Sequence, residues 1–304
     1  MQKRRKKGRK RKTYLEWWMD RITTLKGFKN EATRLYNITQ TAYETGPWAL
    51  LKLAILVYYV DVYTVIMKKK FEEAYYMDVF AGPGLTKIKG TNDLIFGSPL
   101  IADRATKPER KFDKLILIEK NRERSATLEE LLPNAIIINE DVNSGGLYEA
   151  LNHLPKDRSV PFLAFVDPEG LEMHWKTLEL LLNRWSDVII NYQPSAIRRA
   201  VGSGYYKTLT NFFGTEEWAS CKSDKEYMDL YRRQIGEYKD YTIPIRVQGP
   251  RGFHYYIIVA VRRTSGTQGW IDAIKRAKQN VEKTDYKDAE RLLRIFKGEQ
   301  RTLF

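Results

Sequence analysis

Four carboxylates stand at or just past the ends of short apolar runs. Asp78 follows AYYM, Glu119 follows KLILI, Asp141 comes two residues after AIIIN, and Asp167 follows FLAFV. The first run leads into Phe80-Ala81-Gly82-Pro83-Gly84, whose two glycines permit close approach of backbone to a ligand. An acid after the second run sits where nucleotide-binding sheets grip ribose hydroxyls. Asp141 is placed to accept a bond from an exocyclic amine. Asp167, followed by Pro168-Glu169-Gly170, is placed to orient the amine or hydroxyl of a second substrate. Each acid also has a plain structural reading, since Asp141 or Asn143 suits a helix N-cap and Asp167 suits unpaired loop amides. Acids at four of five strand ends, the first beside a double-glycine turn, describe an adenosine-type pocket better than unrelated loops do.

These residues need a sheet to bring them together. Five apolar runs predict strands: 74 to 79, 114 to 119, 135 to 139, 162 to 167 and 187 to 192. Between them lie helical stretches opened by Ser98-Pro99, Asn121, Asn143 and Glu172, the alternation of a parallel sheet covered on both faces. Residues 85 to 112 read as a loop and a short helix. Ligands bind such sheets beyond the carboxyl ends of the strands, where the acids stand. Residues 200 to 240 break the rhythm as a helical insertion that contains a capping box at Ser223-Asp-Lys-Glu226. Strand character returns in 242 to 249 and 253 to 263, separated by Pro250-Arg251-Gly252, and predicts a terminal antiparallel hairpin. The predicted fold is therefore an α/β, Rossmann-like sheet. Its expected divisions are a basic arm at 1–12, a helical prelude at 13–46, an α/β domain at 47–199 and 241–284, the insertion at 200–240, and a terminal helix at 285–304.

Composition narrows the class. The 304 residues are 43% hydrophobic, 12% aromatic and 30% charged, which describes a globular chain rather than a disordered one or a membrane bundle. The run from 48 to 67 is long enough to span a membrane but contains Lys52 and Asp61, so a mostly buried helix with a wet stripe of Asp61, Thr64 and Lys68 is expected instead. Lys52 lies off that stripe, where it either snorkels or meets an anion. The 52 basic residues exceed the 38 acidic ones by 14, and nine of the basic ones fall within the first twelve residues, MQKRRKKGRKRK. A basic arm of this kind binds polyanions by counterion release, so nucleic acid is the expected partner and a membrane is not. One cysteine, Cys221, and three histidines leave no disulfide and no metal site, and point to a reducing, cytoplasmic setting. The arm has no apolar stretch behind it, which argues against a secretory signal.

The constellation resembles the class I S-adenosylmethionine-dependent methyltransferase fold. At the level of words, FAGPG, GSPL (97 to 100), IEKNRER (118 to 124), FVDPEG with Trp175, IINYQPSAIRR (189 to 199) and FFGTEEW (212 to 218) resemble the three-Cys-motif partner protein family. The likeness runs in order over about residues 48 to 275. It implies a methyltransferase-like protein encoded beside a radical-type three-cysteine protein, its possible partner. It also implies Asp78, Phe80, Gly82 and Gly84 as the cofactor turn, Glu119 as ribose clamp and Asp141 as adenine contact.

Asp167 and Pro168 occupy the place where amino-methyltransferases carry Asp-Pro-Pro-Tyr, but Glu169 and Gly170 replace the second proline and the stacking aromatic. Trp175 or Tyr192 would have to substitute as the platform for a flipped base, unless Trp175 is a core aromatic. Lys52, Asn191 and Arg198 complete the expected substrate side, with Arg198 and Arg199 offered to phosphate. Two functions follow: methyl transfer to nucleic acid, or a silent nucleic-acid-binding accessory. An NAD-dependent oxidoreductase is disfavoured because the glycine turn lacks the third glycine of the dinucleotide fingerprint.

Overall fold

The computed structural model describes residues 12–156, 159–249, 253–264 and 267–300. The basic arm up to residue 11 and the hairpin link at 250–252 lie outside the described residues. The chain runs α1 (Tyr14–Gly27), α2 (Lys29–Thr39), β1 (Tyr43–Thr45), α3 (Ala49–Met67), β2 (Tyr75–Asp78), β3 (Leu85–Ile88), β4 (Leu94–Phe96), α4 (Ser98–Arg104), β5 (Lys114–Ile118), α5 (Arg122–Leu131) and β6 (Ile136–Ile138). It continues through α6 (Leu147–Asn152), β7 (Phe162–Val166), α7 (Trp175–Leu182), β8 (Ser186–Tyr192), α8 (Pro194–Gly202), α9 (Tyr206–Phe213), α10 (Asp224–Gly236), β9 (Tyr241–Gln248), β10 (His254–Val261), α11 (Thr267–Val281) and α12 (Tyr286–Lys297).

Seven strands form one sheet in the order β6-β5-β2-β7-β8-β10-β9. The first five are parallel, whereas β10 runs antiparallel to both β8 and β9. This is the α/β, Rossmann-like arrangement expected from the sequence, a mostly parallel sheet closed by a terminal antiparallel hairpin. The central strands coincide with apolar runs in the sequence, because strands buried on both faces must be continuously apolar, whereas the edge strand β9 is mostly half-buried and exposes Arg246. Alternation sorts them between two cores. Tyr76, Leu117, Leu163 and Phe165 face the side covered by α1, α3, α4, α11 and α12. Met77, Ile116, Ile118, Ala164 and Val166 face α6 to α10.

Helix α3 carries an apolar window long enough to cross a membrane, and 67% of that window is buried inside the protein. Thr64, expected on a wet stripe, is fully buried and returns its hydroxyl to the Val60 carbonyl at 2.9 Å. Only Asp61 and Lys68 reach solvent-side partners, Arg110 at 3.8 Å and Asp113 at 2.6 Å. The prelude is more than helical. Its β1 pairs in parallel with β3, which pairs with β4, so a second three-stranded sheet stands where a plain loop was expected. Strands of three or four residues leave no period to read.

The helical insertion is not a separate body. Leu209, Phe212, Phe213, Trp218, Tyr227 and Tyr231 join the core on the α7 face of the sheet. The expected capping box forms in part: the Ser223 hydroxyl caps the Glu226 amide, while Glu226 reaches back to the Lys222 amide. Helix α7 starts at Trp175 rather than Glu172, whose carboxylate instead accepts the Gly170 amide at 2.6 Å.

Trp175 itself is 7% exposed and packs edge-on against Tyr231 at 5.6 Å. Gly214 has φ +67° and a Cβ there would lie 2.4 Å from the indole. Gly214→Ala combines left-handed strain of roughly 1–2 kcal/mol with overpacking of a buried ring, so a loss of about 2–4 kcal/mol in unfolding free energy is expected. Urea titration checks it, and a loss below about 1 kcal/mol would mean that the ring moves freely.

Candidate functional site

The carboxyl ends of β2, β5, β6 and β7 open onto a single cavity of about 1160 Å³. Its lining includes Phe80, Gly82, Gly84, Glu119, Asp141, Asp167 and Pro168, so most of the residues singled out by sequence converge there. The small sheet forms one wall through Tyr43, Thr45, Leu85, Thr86 and Ile88. Helices α3, α8 and α12 contribute Lys52, Arg199 and Lys297.

The glycine turn is built on positive φ. Gly82 (φ +62°) and Gly84 (φ +81°) adopt conformations that an L side chain resists. A Cβ on Gly82 would meet no protein atom within 4 Å, whereas one on Gly84 would press on Leu128 at 3.3 Å. The turn is held to the next strand by Glu119, which accepts the Gly82 amide at 2.9 Å through one oxygen and the Asn121 amide at 2.8 Å through the other. Glu119 is 7% exposed yet lines the cavity, and each of its oxygens retains a second acceptor direction. Asp141 takes the cap reading and still borders the cavity. One oxygen caps the Asn143 amide at 2.8 Å and the other faces Lys120 at 3.7 Å.

Asp78 departs from its expected role. It is fully buried beneath the turn, where it accepts from the Tyr76 hydroxyl at 3.1 Å and the Phe80 amide at 3.3 Å, and it does not line the cavity. Burial drives its carboxyl up to about 7, opposed by hydrogen bonds from Ser98 and Tyr76. It fixes the strand-to-turn corner rather than touching a ligand.

On the other side, each oxygen of Asp167 has one partner, which leaves a second acceptor direction on each. Its Oδ2 lies 2.5 Å from Lys52 Nζ and its Oδ1 accepts from Asn191 Nδ2 at 2.7 Å. Lys52 and Asp167 are 17% and 15% exposed, so Lys52 has met an anion rather than snorkelled. Asn191 is buried and acts through Asp167, with its own Oδ1 left without a partner. Neither Trp175 nor Tyr192 supplies a platform. Both are buried and off the cavity wall, because each is needed in the aromatic core around Tyr231. Arg198 points away to Asp224, and its neighbour Arg199 is the one that reaches the cavity.

Sequence reading missed Tyr43, Trp48, Arg124 and Phe253, all of which line the cavity. The Tyr43 phenol is pushed well above its ordinary range, first by burial and then by a hydrogen bond to Glu169, while Arg124 opposes. Arg124 lies over the Tyr43 ring, 5.1 Å from its centroid. The residue in place of the second proline is therefore tied to the opposite wall. No signal in the sequence pairs Tyr43 with Glu169, since the contact spans more than a hundred residues.

No family model matches the chain, and no curated protein matches it. Among solved structures, a Legionella pneumophila protein of the DUF519 family model aligns over 77% of this chain and 92% of its own, at 14% identity and TM-score 0.49. The plantazolicin methyltransferase BamL, in complex with a triazolic desmethyl analogue and S-adenosylhomocysteine, aligns over 95% and 92% at 11% identity and TM-score 0.39. Trm1 from Pyrococcus horikoshii with S-adenosylmethionine aligns over 70% of this chain and 57% of its own, at 9% identity and TM-score 0.37.

The buried Asp78 gives a pH signature. Its folded-state pKa of about 7 exceeds the ordinary 3.8, so the native state holds a proton that the unfolded chain releases. Stability from this group is full below about pH 4, falls as pH rises towards 7, and levels off beyond. Asp78→Asn cannot titrate, so its stability relative to wild type should climb across that window by up to roughly 1.4 kcal/mol per pH unit. Urea midpoints from pH 4.5 to 8.5 measure this, and a flat difference would mean that Asp78 is ionised throughout.

Proposed function

We propose that the protein is an S-adenosylmethionine-dependent methyltransferase acting on nucleic acid, of the three-Cys-motif partner kind. One observation carries the reading: Gly82, Glu119 and Asp141 share one cavity with Asp167, so a cofactor subsite and an acceptor subsite adjoin. The residues fit the cofactor. Gly82 leaves open space where a Cβ would stand, and Glu119 keeps free acceptor directions for a diol, with Asp141 further along for an amine. When bound, S-adenosylmethionine supplies an electrophilic methyl group.

The chain's own residues do the rest. Glu119, itself positioned by the amides of Gly82 and Asn121, would hold the ribose hydroxyls of the cofactor. Asp167 is oriented by Lys52 and Asn191, lines the cavity, and has a second acceptor direction on each oxygen with which it would align an N–H or O–H of the acceptor. The cavity lining mixes cations with acids, and Lys89, Arg199 and Lys297 are the basic residues there whose side chains are offered to phosphate, with the nine cations of the arm as the larger polyanion contact. The resemblance of the short motifs to three-Cys-motif partner proteins supports a radical-type three-cysteine protein as companion. Glu169-Gly170 in place of Pro-Tyr favours a second reading, a silent accessory that keeps the cofactor pocket.

Calorimetry and methyl transfer separate the two. Gly82→Val should abolish S-adenosylmethionine binding, because a β-branched residue is forced into left-handed backbone at the cavity floor. Glu119→Ala should weaken it by at least tenfold, since it removes the diol acceptor and frees two amides. If neither changes the affinity, the cofactor lies elsewhere. Asp167→Ala should abolish labelled methyl transfer to RNA or DNA while leaving cofactor affinity within about threefold. Wild-type protein that binds the cofactor but methylates neither would support the accessory reading. Deleting residues 1–12 should flatten the fall of log K with log salt by several units, given the arm's nine cations.

A further inference from the structure

The geometry points to Trp48, backed by Phe253, as the surface on which one unstacked base of a nucleic-acid strand lies beside Asp167. Three observations carry this, and the inference rests on the nucleic-acid reading above. First, Trp48 is 43% exposed although it lines the cavity, and it is the tryptophan among the exposed large hydrophobic residues. Its ring is nonetheless fixed in place. It stacks over Gly46, where a Cβ would lie 2.0 Å from the indole, and it meets the Phe253 ring at 5.6 Å with a 49° tilt. A preset aromatic face open to a cavity loses little entropy on stacking.

Second, the ring is on the acceptor side. Trp48 is the N-cap of α3 and Lys52 follows one turn later, which sets the indole on the same helix face as the Lys52–Asp167 pair. Phe253 immediately precedes β10, which lies beyond β8, while Glu119 ends β5 on the far side of β2 and β7. Four strand spacings, about 19 Å, separate β5 from β10. A cofactor held by Glu119 and Asp141 therefore leaves this end free. The cavity of about 1160 Å³ exceeds the roughly 300–1,000 Å³ of single-ligand pockets, as two adjoining ligands require.

Third, the chemistry around the ring selects its occupant. Asp167 offers acceptor directions to an N–H in the plane of a ring, and Arg199 and Lys89 border the cavity as cations for flanking phosphates. A planar ring with an N–H edge and an anionic tether is a nucleobase in a strand. Trp48 takes up the stacking that Gly170 cannot provide, and does so from the N-terminal side of the fold.

The test measures binding of a fluorescein-labelled 12-nucleotide single strand, as RNA and as DNA, to the full chain. A strand of the same length lacking bases is the control. Trp48→Ala should weaken binding of the normal strand by about 5- to 150-fold, the worth of one stacked base. It should leave the abasic strand, the salt slope and S-adenosylmethionine affinity unchanged. Trp48→Phe should restore most of the loss.

Gly46→Ala pushes the indole aside without removing it, and should reproduce the alanine phenotype in a protein that still melts cooperatively. Binding by Trp48→Ala within twofold of wild type overturns the platform, as does equal weakening of the abasic strand. Wild-type protein that binds neither strand at 50 mM salt ends the nucleic-acid reading itself, a result distinct from loss of the platform alone.

Discussion

The ion pair between Lys52 and Asp167 organises this molecule. Helix α3 is apolar along nearly its whole length, so hydrophobic burial alone would allow it to rotate or slide against the sheet. A single charge near its start removes that freedom. Lys52 must find its anion, and the anion is anchored at the end of β7 by a bond from Asn191 on the neighbouring strand. The pair is only partly exposed, so either charge left alone would be poorly solvated. What fixes the helix also fixes one end of the cavity, because the carboxylate that receives the lysine lines it.

Glu119 plays the matching role on the other side of the cavity. Its carboxylate spans from the end of β5 to the turn after β2 and accepts one amide from each. Two strand ends are thereby locked together by a group that still borders open space. The buried Asp78 works from below, holding the corner from which the turn departs. The turn thus has charged or polar anchors on both sides and its glycines supply only conformational access.

Legibility in the sequence followed the range of the interaction. The seven strands and most helices were readable, the central strands because a strand buried on both faces writes itself as a local apolar run. Gly82, Gly84, Glu119, Asp141, Asp167 and Pro168 were readable as strand-end residues for the same reason. The sequence could not distinguish an acid that faces the cavity from one that lies beneath it, and Asp78 fell on the buried side. Nor could it choose between adjacent arginines, since whether Arg198 or Arg199 faces inward depends on the rotation of α8, which Asp224 on α10 helps set. Trp175 and Tyr192 looked available because aromatic type says nothing of burial. The platform residues actually open to the cavity, Trp48 and Phe253, lie about two hundred positions apart.

The departure at Glu169-Gly170 gains a physical account from the opposite wall. In a loop carrying Pro-Tyr, the loop itself would present a ring to the acceptor. Here Gly170 donates its amide to Glu172, and Glu169 interacts with Tyr43 on β1, whose ring is covered by Arg124. The loop is therefore committed to closing the cavity rather than to stacking. That contact uses β1, which is held in place by pairing with β3, itself paired with β4, so the small sheet and the altered loop meet at Tyr43 and Glu169. An aromatic surface must then come from elsewhere. The start of α3, already held against Asp167 by Lys52, is where a ring can be presented without a further element, and Trp48 stands there.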